Sequence, residues 1–216
     1  MEHLLRLLQL ADSALPVGAA AHSFGLESLI QEGLLDAGEL ESFLRGYLEE
    51  SGRLDAAFCR SAHGLAELRG EDFAMNWRSL NQRLSARKLS RESRDASLTL
   101  GRRFLSLAWQ LLPGSIPGAI GTDSHHVAAF GLVAGVAGID QRSAVLAWLH
   151  QSTTTLISAA QRLAPLGQSN ASRILWSLKP LMAEIVQSAA VENCFTPVPE
   201  IAAMRHAKLA TRLFIS

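Results

Sequence analysis

Net charge is the first thing this sequence lacks. Its 216 residues carry 20 lysines and arginines against 20 aspartates and glutamates. A balanced chain has no general attraction for nucleic acid or for an anionic membrane, so neither is expected as a partner. Cysteine is scarce too. Cys59 and Cys194 lie far apart without a C-x-x-C spacing, which gives no zinc motif and points to a reducing compartment. Long apolar runs are missing. The most apolar one, Val127 to Ile139, falls short of the roughly 20 residues a membrane span needs. The stretch 144–163 is interrupted by His150, Gln151, Gln161 and Arg162. The opening MEHLLRLLQLADSALP has Glu2 ahead of its apolar run and Arg6 within it, a poor secretory signal. A soluble, cytoplasmic protein is expected.

Catalytic signatures are absent as well. There is no G-x-x-x-x-G-K-[ST] phosphate loop and no G-x-G-x-x-G after a strand. His22-Ser23-Phe24-Gly25 is not the G-x-S-x-G of a nucleophile elbow. None of the seven histidines lies four residues from another, and adjacent His125 and His126 would point about 100° apart on a helix. Glu49-Glu50 and Glu71-Asp72 read as surface charge rather than convergent acid–base pairs. The expectation is a protein with no catalytic residues, no resident cofactor and no metal site of its own.

What is present is helical periodicity. Leu4, Leu7, Leu8 and Ala11 recur at spacings of three and four. Asp36-Ala37-Gly38-Glu39 reads as a capping box opening a helix with Leu40, Phe43, Leu44, Tyr47 and Leu48 on its apolar side. Gly52 divides that helix from the next. Further helices are expected over 71–87, 90–111, 124–138, 141–163 and 170–191, and the tail resumes after Thr196-Pro197-Val198-Pro199. No useful alternating strand pattern appears. The fold class is therefore all-α, a single-domain bundle of roughly eight to ten antiparallel helices over 1–196, followed by a tail at 197–216. The small residues of FGLVAGVAGI, with Gly131, Gly135 and Gly138, admit two readings: a buried central helix or a subunit contact. Charge is uneven locally, with eleven acids and four arginines from Glu27 to Asp72, and eight bases and two acids from Arg78 to Arg103. These are either solvated faces or two patches that orient protein partners.

The stretch SALPVGAAAHSFGLE at 13–27 is built like a site. Pro16 fixes φ and Gly18 permits positive φ, so the chain can turn sharply out of the first helix. Ser23 is a candidate N-cap, and Glu27 then sits in a first helical turn, where negative charge suits the helix dipole. Pro16, Gly18 and Gly25 read as structural, His22 and Glu27 as interface candidates. In APLGQSNASRIL, Pro165 and Gly167 break the chain and Gln168 either satisfies the loop or meets a partner. The tail ends in Arg212-Leu213-Phe214-Ile215-Ser216, apolar residues that need the chain's own core or another protein to cover them.

Four stretches in order carry a resemblance over essentially the whole chain: LLQLADSALPVGAAAHSFGLE, GRRFL at 101–105 with Gly101 at its head, RLAPLGQ at 162–168, and MRHAKLATRLFIS at 204–216. Together they resemble the urease accessory protein UreF family. Ala19-Ala20 stands where many members carry aromatic residues. The resemblance implies an all-helical, cytoplasmic homodimer without catalysis of its own. It implies binding to a UreD/UreH-type accessory protein, to the nickel-carrying UreG-type GTPase and to apo-urease, as a chaperone of nickel insertion and metallocentre assembly. The alternatives are a GTPase-regulating protein or a generic helical adaptor unrelated to urease. On the resemblance, residues 197–216 dock on the UreD-type partner. Pro197 and Pro199 separate the segment from the bundle, so it is expected to make few contacts there and to contribute little to the chain's own stability. His206, Arg212, Leu213 and Phe214 are then the contact candidates.

Overall fold

The computed structural model describes residues 1–118, 120 and 123–215. Among these residues there is no strand, and eleven α-helical segments succeed one another: α1 (Glu2–Leu10), α2 (Leu26–Gln31), α3 (Leu40–Tyr47), α4 (Arg53–Gly64), α5 (Gly70–Arg87), α6 (Arg91–Leu111), α7 (His126–Val136), α8 (Gln141–Leu163), α9 (Gln168–Ser177), α10 (Lys179–Gln187) and α11 (Pro197–His206). The all-α expectation stands.

The caps are those the side chains dictate. Asp36 Oδ1 accepts from the backbone N–H groups of Gly38 (2.7 Å) and Glu39 (3.0 Å), and Glu39 Oε2 accepts from the Asp36 N–H at 3.4 Å, a reciprocal capping box. Ser90 caps α6 through Ser93 N–H, and Asp140 caps α8 through Ser143 N–H. Two expectations differ. Gly52 does not divide a helix: Leu48–Gly52 is a turn of π-helix that carries α3 on into α4. The missing side chain instead admits Leu149 of α8. The helix expected over 170–191 is two, α9 and α10. Pro180 lacks an N–H and its ring crowds the carbonyl four residues back, so the rod breaks near Leu178.

α7 is the centre of the molecule, packed by α4, α6 and α8, with every residue from His126 to Ala134 buried. A Cβ at Gly131 would fall onto the carbonyl of Cys59, and one at Gly135 would lie 2.7 Å from the carbonyl of His63. The small residues therefore serve close packing of α7 on α4. This supports the buried-helix reading of FGLVAGVAGI, although Gly135 and Val136 are half-buried and Gly138 is exposed. No helix among the described residues is long and apolar enough to cross a membrane.

Candidate partner-binding site

The chain leaves α1 through Pro16 and Gly18 (φ 86°), makes one tight turn over Ala19–Ala21, and enters α2 through two successive residues with positive φ, Phe24 (53°) and Gly25 (87°). Ser23 is not the N-cap. The left-handed pair displaces the helix start to Leu26, and the Ser23 carbonyl, not its hydroxyl, accepts the Leu26 N–H at 3.1 Å. Gly25 has a second reason to be glycine, since a Cβ there would lie 2.6 Å from the carbonyl of Pro199. The start of α2 is thus pressed against α11.

That contact brings the two ends of the chain together around Glu27. Its carboxylate is fully buried in the first turn of α2. It is paired with His206 Nε2 of α11 at 2.7 Å, and accepts the backbone N–H groups of Leu213 (2.6 Å) and Phe214 (3.2 Å) and the Gln31 amide (3.2 Å). A buried carboxylate is tolerable only when its lone pairs are satisfied in this way. The segment is tied further by Ile215 N–H to the Ala21 carbonyl (2.8 Å), Arg205 to Glu32 (2.7 Å) and the Glu200 carboxylate to Ser90 N–H. The tail is therefore held by many more contacts than its two prolines suggested. Pro197 and Pro199 sit in the first turn of α11, where a missing N–H costs nothing, rather than acting as a hinge.

The middle stretches reach the same place. Arg162, at the end of α8, donates to the Ala20 carbonyl (2.9 Å) and lies 4.3 Å above the Phe214 ring. Arg103 of α6 donates to the Val17 carbonyl at 3.4 Å. Gly101, two residues before, faces the Ser124 carbonyl so closely that a side chain there has no room. All four of the segments quoted from the sequence thus meet on one face of the bundle. Neither Arg162 nor Arg103 was singled out in the sequence, because nothing in their spacing shows that they end beside Phe214 and Val17.

The candidates divide by exposure. His22 is buried, its ring beside Phe24, and burial first, then Arg103 and His206, holds its pKa below the usual histidine value. Glu27, His206 and Phe214 are buried as well. Leu213, Ile215, Met204 and Ile201 are 52%, 67%, 44% and 49% exposed, and Arg212 is exposed beside them. Pro165, Gly167 and Gln168 are exposed at the start of α9. The outward-facing apolar side chains are therefore Leu213 and its neighbours, while Phe214 is spent on this chain's own core. His125 is a hub that the sequence did not signal. Its backbone N–H donates to Asn81 (2.8 Å), and its ring nitrogens are hydrogen-bonded to the hydroxyls of Ser97 (3.0 Å) and Ser85 (2.8 Å). Burial pushes its pKa down to about 3, so it is neutral and structural. Among the described residues no three metal-ligating side chains converge.

Comparison with known proteins bears on what this face is. The UreF family model matches residues 34–179. The chain belongs to the UreF family. It is 34% identical to the urease accessory protein UreF of Nostoc sp., over 99% of this chain and 96% of that protein. It is 33% identical to that of Paenarthrobacter aurescens, over 98% and 97%, and 36% identical to that of Trichodesmium erythraeum, over 97% and 95%. The family model stops short of both chain ends, while these alignments run nearly the full length.

Proposed function

We propose that this protein is a non-catalytic scaffold in the nickel-dependent maturation of urease. It joins a UreD/UreH-type accessory protein, the UreG-type GTPase and apo-urease, and acts in the cytoplasm as a homodimer. Nickel is cargo in this reading, and among the described residues no ligand cluster for it converges. The observation that carries the proposal is the convergence on one face of the four segments that carry the resemblance, with an exposed apolar rim of Ile201, Met204, Leu213 and Ile215. At the chain ends the buried Glu27 and His206 bond one another, and what faces outward is apolar, as a hot-spot cluster requires. We assign the face over 197–216 to the UreD/UreH-type partner.

The test is co-purification with that partner and the GTPase, using the full chain and variants at the rim. Leu213→Ala should weaken the complex by about 2 kcal/mol, roughly thirtyfold, without shifting thermal unfolding. Phe214→Ala should lower stability as well, because its ring lies in this chain's core. Unchanged affinity for both Leu213→Ala and Ile215→Ala would remove the rim from the interface.

A further inference from the structure

Behind this face, between α4, α7 and α8, lies a cavity of about 70 Å³. Its wall is unusual for a protein interior. Tyr47, Asp55, Lys88, His126 and Gln151 line it, with Phe24 on the side of the opening motif. His126 and Gln151 are only 6% and 4% exposed, yet His126 Nε2 and Gln151 Oε1 have no hydrogen-bond partner among the described residues. A buried polar atom orphaned in this way is destabilising unless something meets it. A second cavity of about 40 Å³ shares Phe24, Tyr47, Asp55 and Lys88 with the first and extends to Glu200 of α11.

We propose that this cavity is a built site for a cluster of ordered water molecules. The hydrogen-bond inventory selects that guest. Asp55 Oδ2 already accepts from the Trp148 indole at 2.9 Å. Ser152 and Thr155 also line the cavity, and their hydroxyls donate to the carbonyls of Leu149 and Gln151. The wall thus offers acceptors at Gln151 and Asp55 and donors at Lys88 and Tyr47, and water can meet both kinds. A charged guest is disfavoured, because Asp55 and Lys88 bring side chains of opposite charge type to the same lining and burial holds His126 neutral, with a pKa of about 3. An apolar guest would leave the orphans unmet. A water needs roughly 10–15 Å³ of such space and two to four polar partners, so the cavity has room for about five. Phe24 completes the wall from a left-handed conformation that a bulky residue adopts only under constraint.

Oxygen-17 relaxation dispersion on the full chain counts long-lived waters, and water-to-indole Overhauser transfer reports on Trp148. The expected result is a water cross-peak at the Trp148 indole. Gln151→Met, which keeps length and removes the acceptor, should lose at least one long-lived water. Phe24→Ala should keep its helical circular dichroism and lose the slow component, because the wall is opened. No transfer at Trp148, xenon uptake by the wild-type cavity, or an unchanged water count in folded Gln151→Met would each overturn the proposal. If Gln151→Met fails to fold, transfer at the wild-type indole decides alone.

Discussion

A carboxylate taken out of water without partners costs several kcal/mol, and Glu27 has no exposed surface at all. It is tolerated because four donors from α2, α11 and the chain end converge on its two oxygens. Glu27→Ala leaves His206 and two backbone N–H groups without their acceptor, and should destabilise the fold by about 3 kcal/mol in urea unfolding. An unchanged midpoint would mean that the chain end is not clasped in solution. Asp140 is the opposite case, an exposed cap. The backbone N–H and hydroxyl of Ser143 hold its pKa below the usual aspartate value. Its contribution is therefore complete above its unfolded pKa of about 3.9 and is lost as pH falls through the depressed folded value. Asp140→Ala should cost about 1 kcal/mol at neutral pH, and the difference from wild type should shrink toward pH 2.

At the scale of elements, α7 and the segment 207–215 pose different packing problems. α7 is buried from His126 to Ala134, and its glycines are contact points for α4 rather than hinges. Gly131→Val should overpack that contact and lower thermal stability by about 1–3 kcal/mol. The terminal segment has one inward and several outward side chains. Ending the chain after Ala210 removes Phe214 from beneath Arg162 and both backbone donors from Glu27. Such a truncation should lower the unfolding temperature as well as abolish partner binding. A truncated chain with wild-type stability would show that these contacts contribute nothing, and that the segment acts only at the partner.

Over the whole molecule, the buried position of α7 constrains assembly. The proposed homodimer would use an exposed surface. α1 presents Leu4, Leu5 and Leu8 outward at 55%, 64% and 60% exposure. Light scattering should give twice the 23.3 kDa chain mass. A monomer mass independent of concentration would remove the dimer from the proposed function. Calorimetry with nickel should show no sub-micromolar site in the isolated chain, because no three potential ligands converge among the described residues.

The sequence by itself determined the class of the fold and most of its rods. Periodicity and capping chemistry are local, so the Asp36 box, the Ser90 cap and the bounds of α8 at 141–163 were all legible. Within the helices, the break at Pro180 was legible in principle, while the π turn before Gly52 was not, since it depends on how α4 meets α8. The motif residues of the candidate site could be named from their turns and end positions. Their arrangement could not. Glu27 meets His206 across 179 residues, and Arg162 meets Ala20 across 142. No local pattern encodes such a pairing. It arises when α2 and α11 pack, and only then does a carboxylate in a first helical turn become a fully buried acceptor for the chain's own end. Tertiary packing likewise turned Phe214 inward, beneath Arg162, and left Leu213 outward, because only one side of the segment had a core to enter.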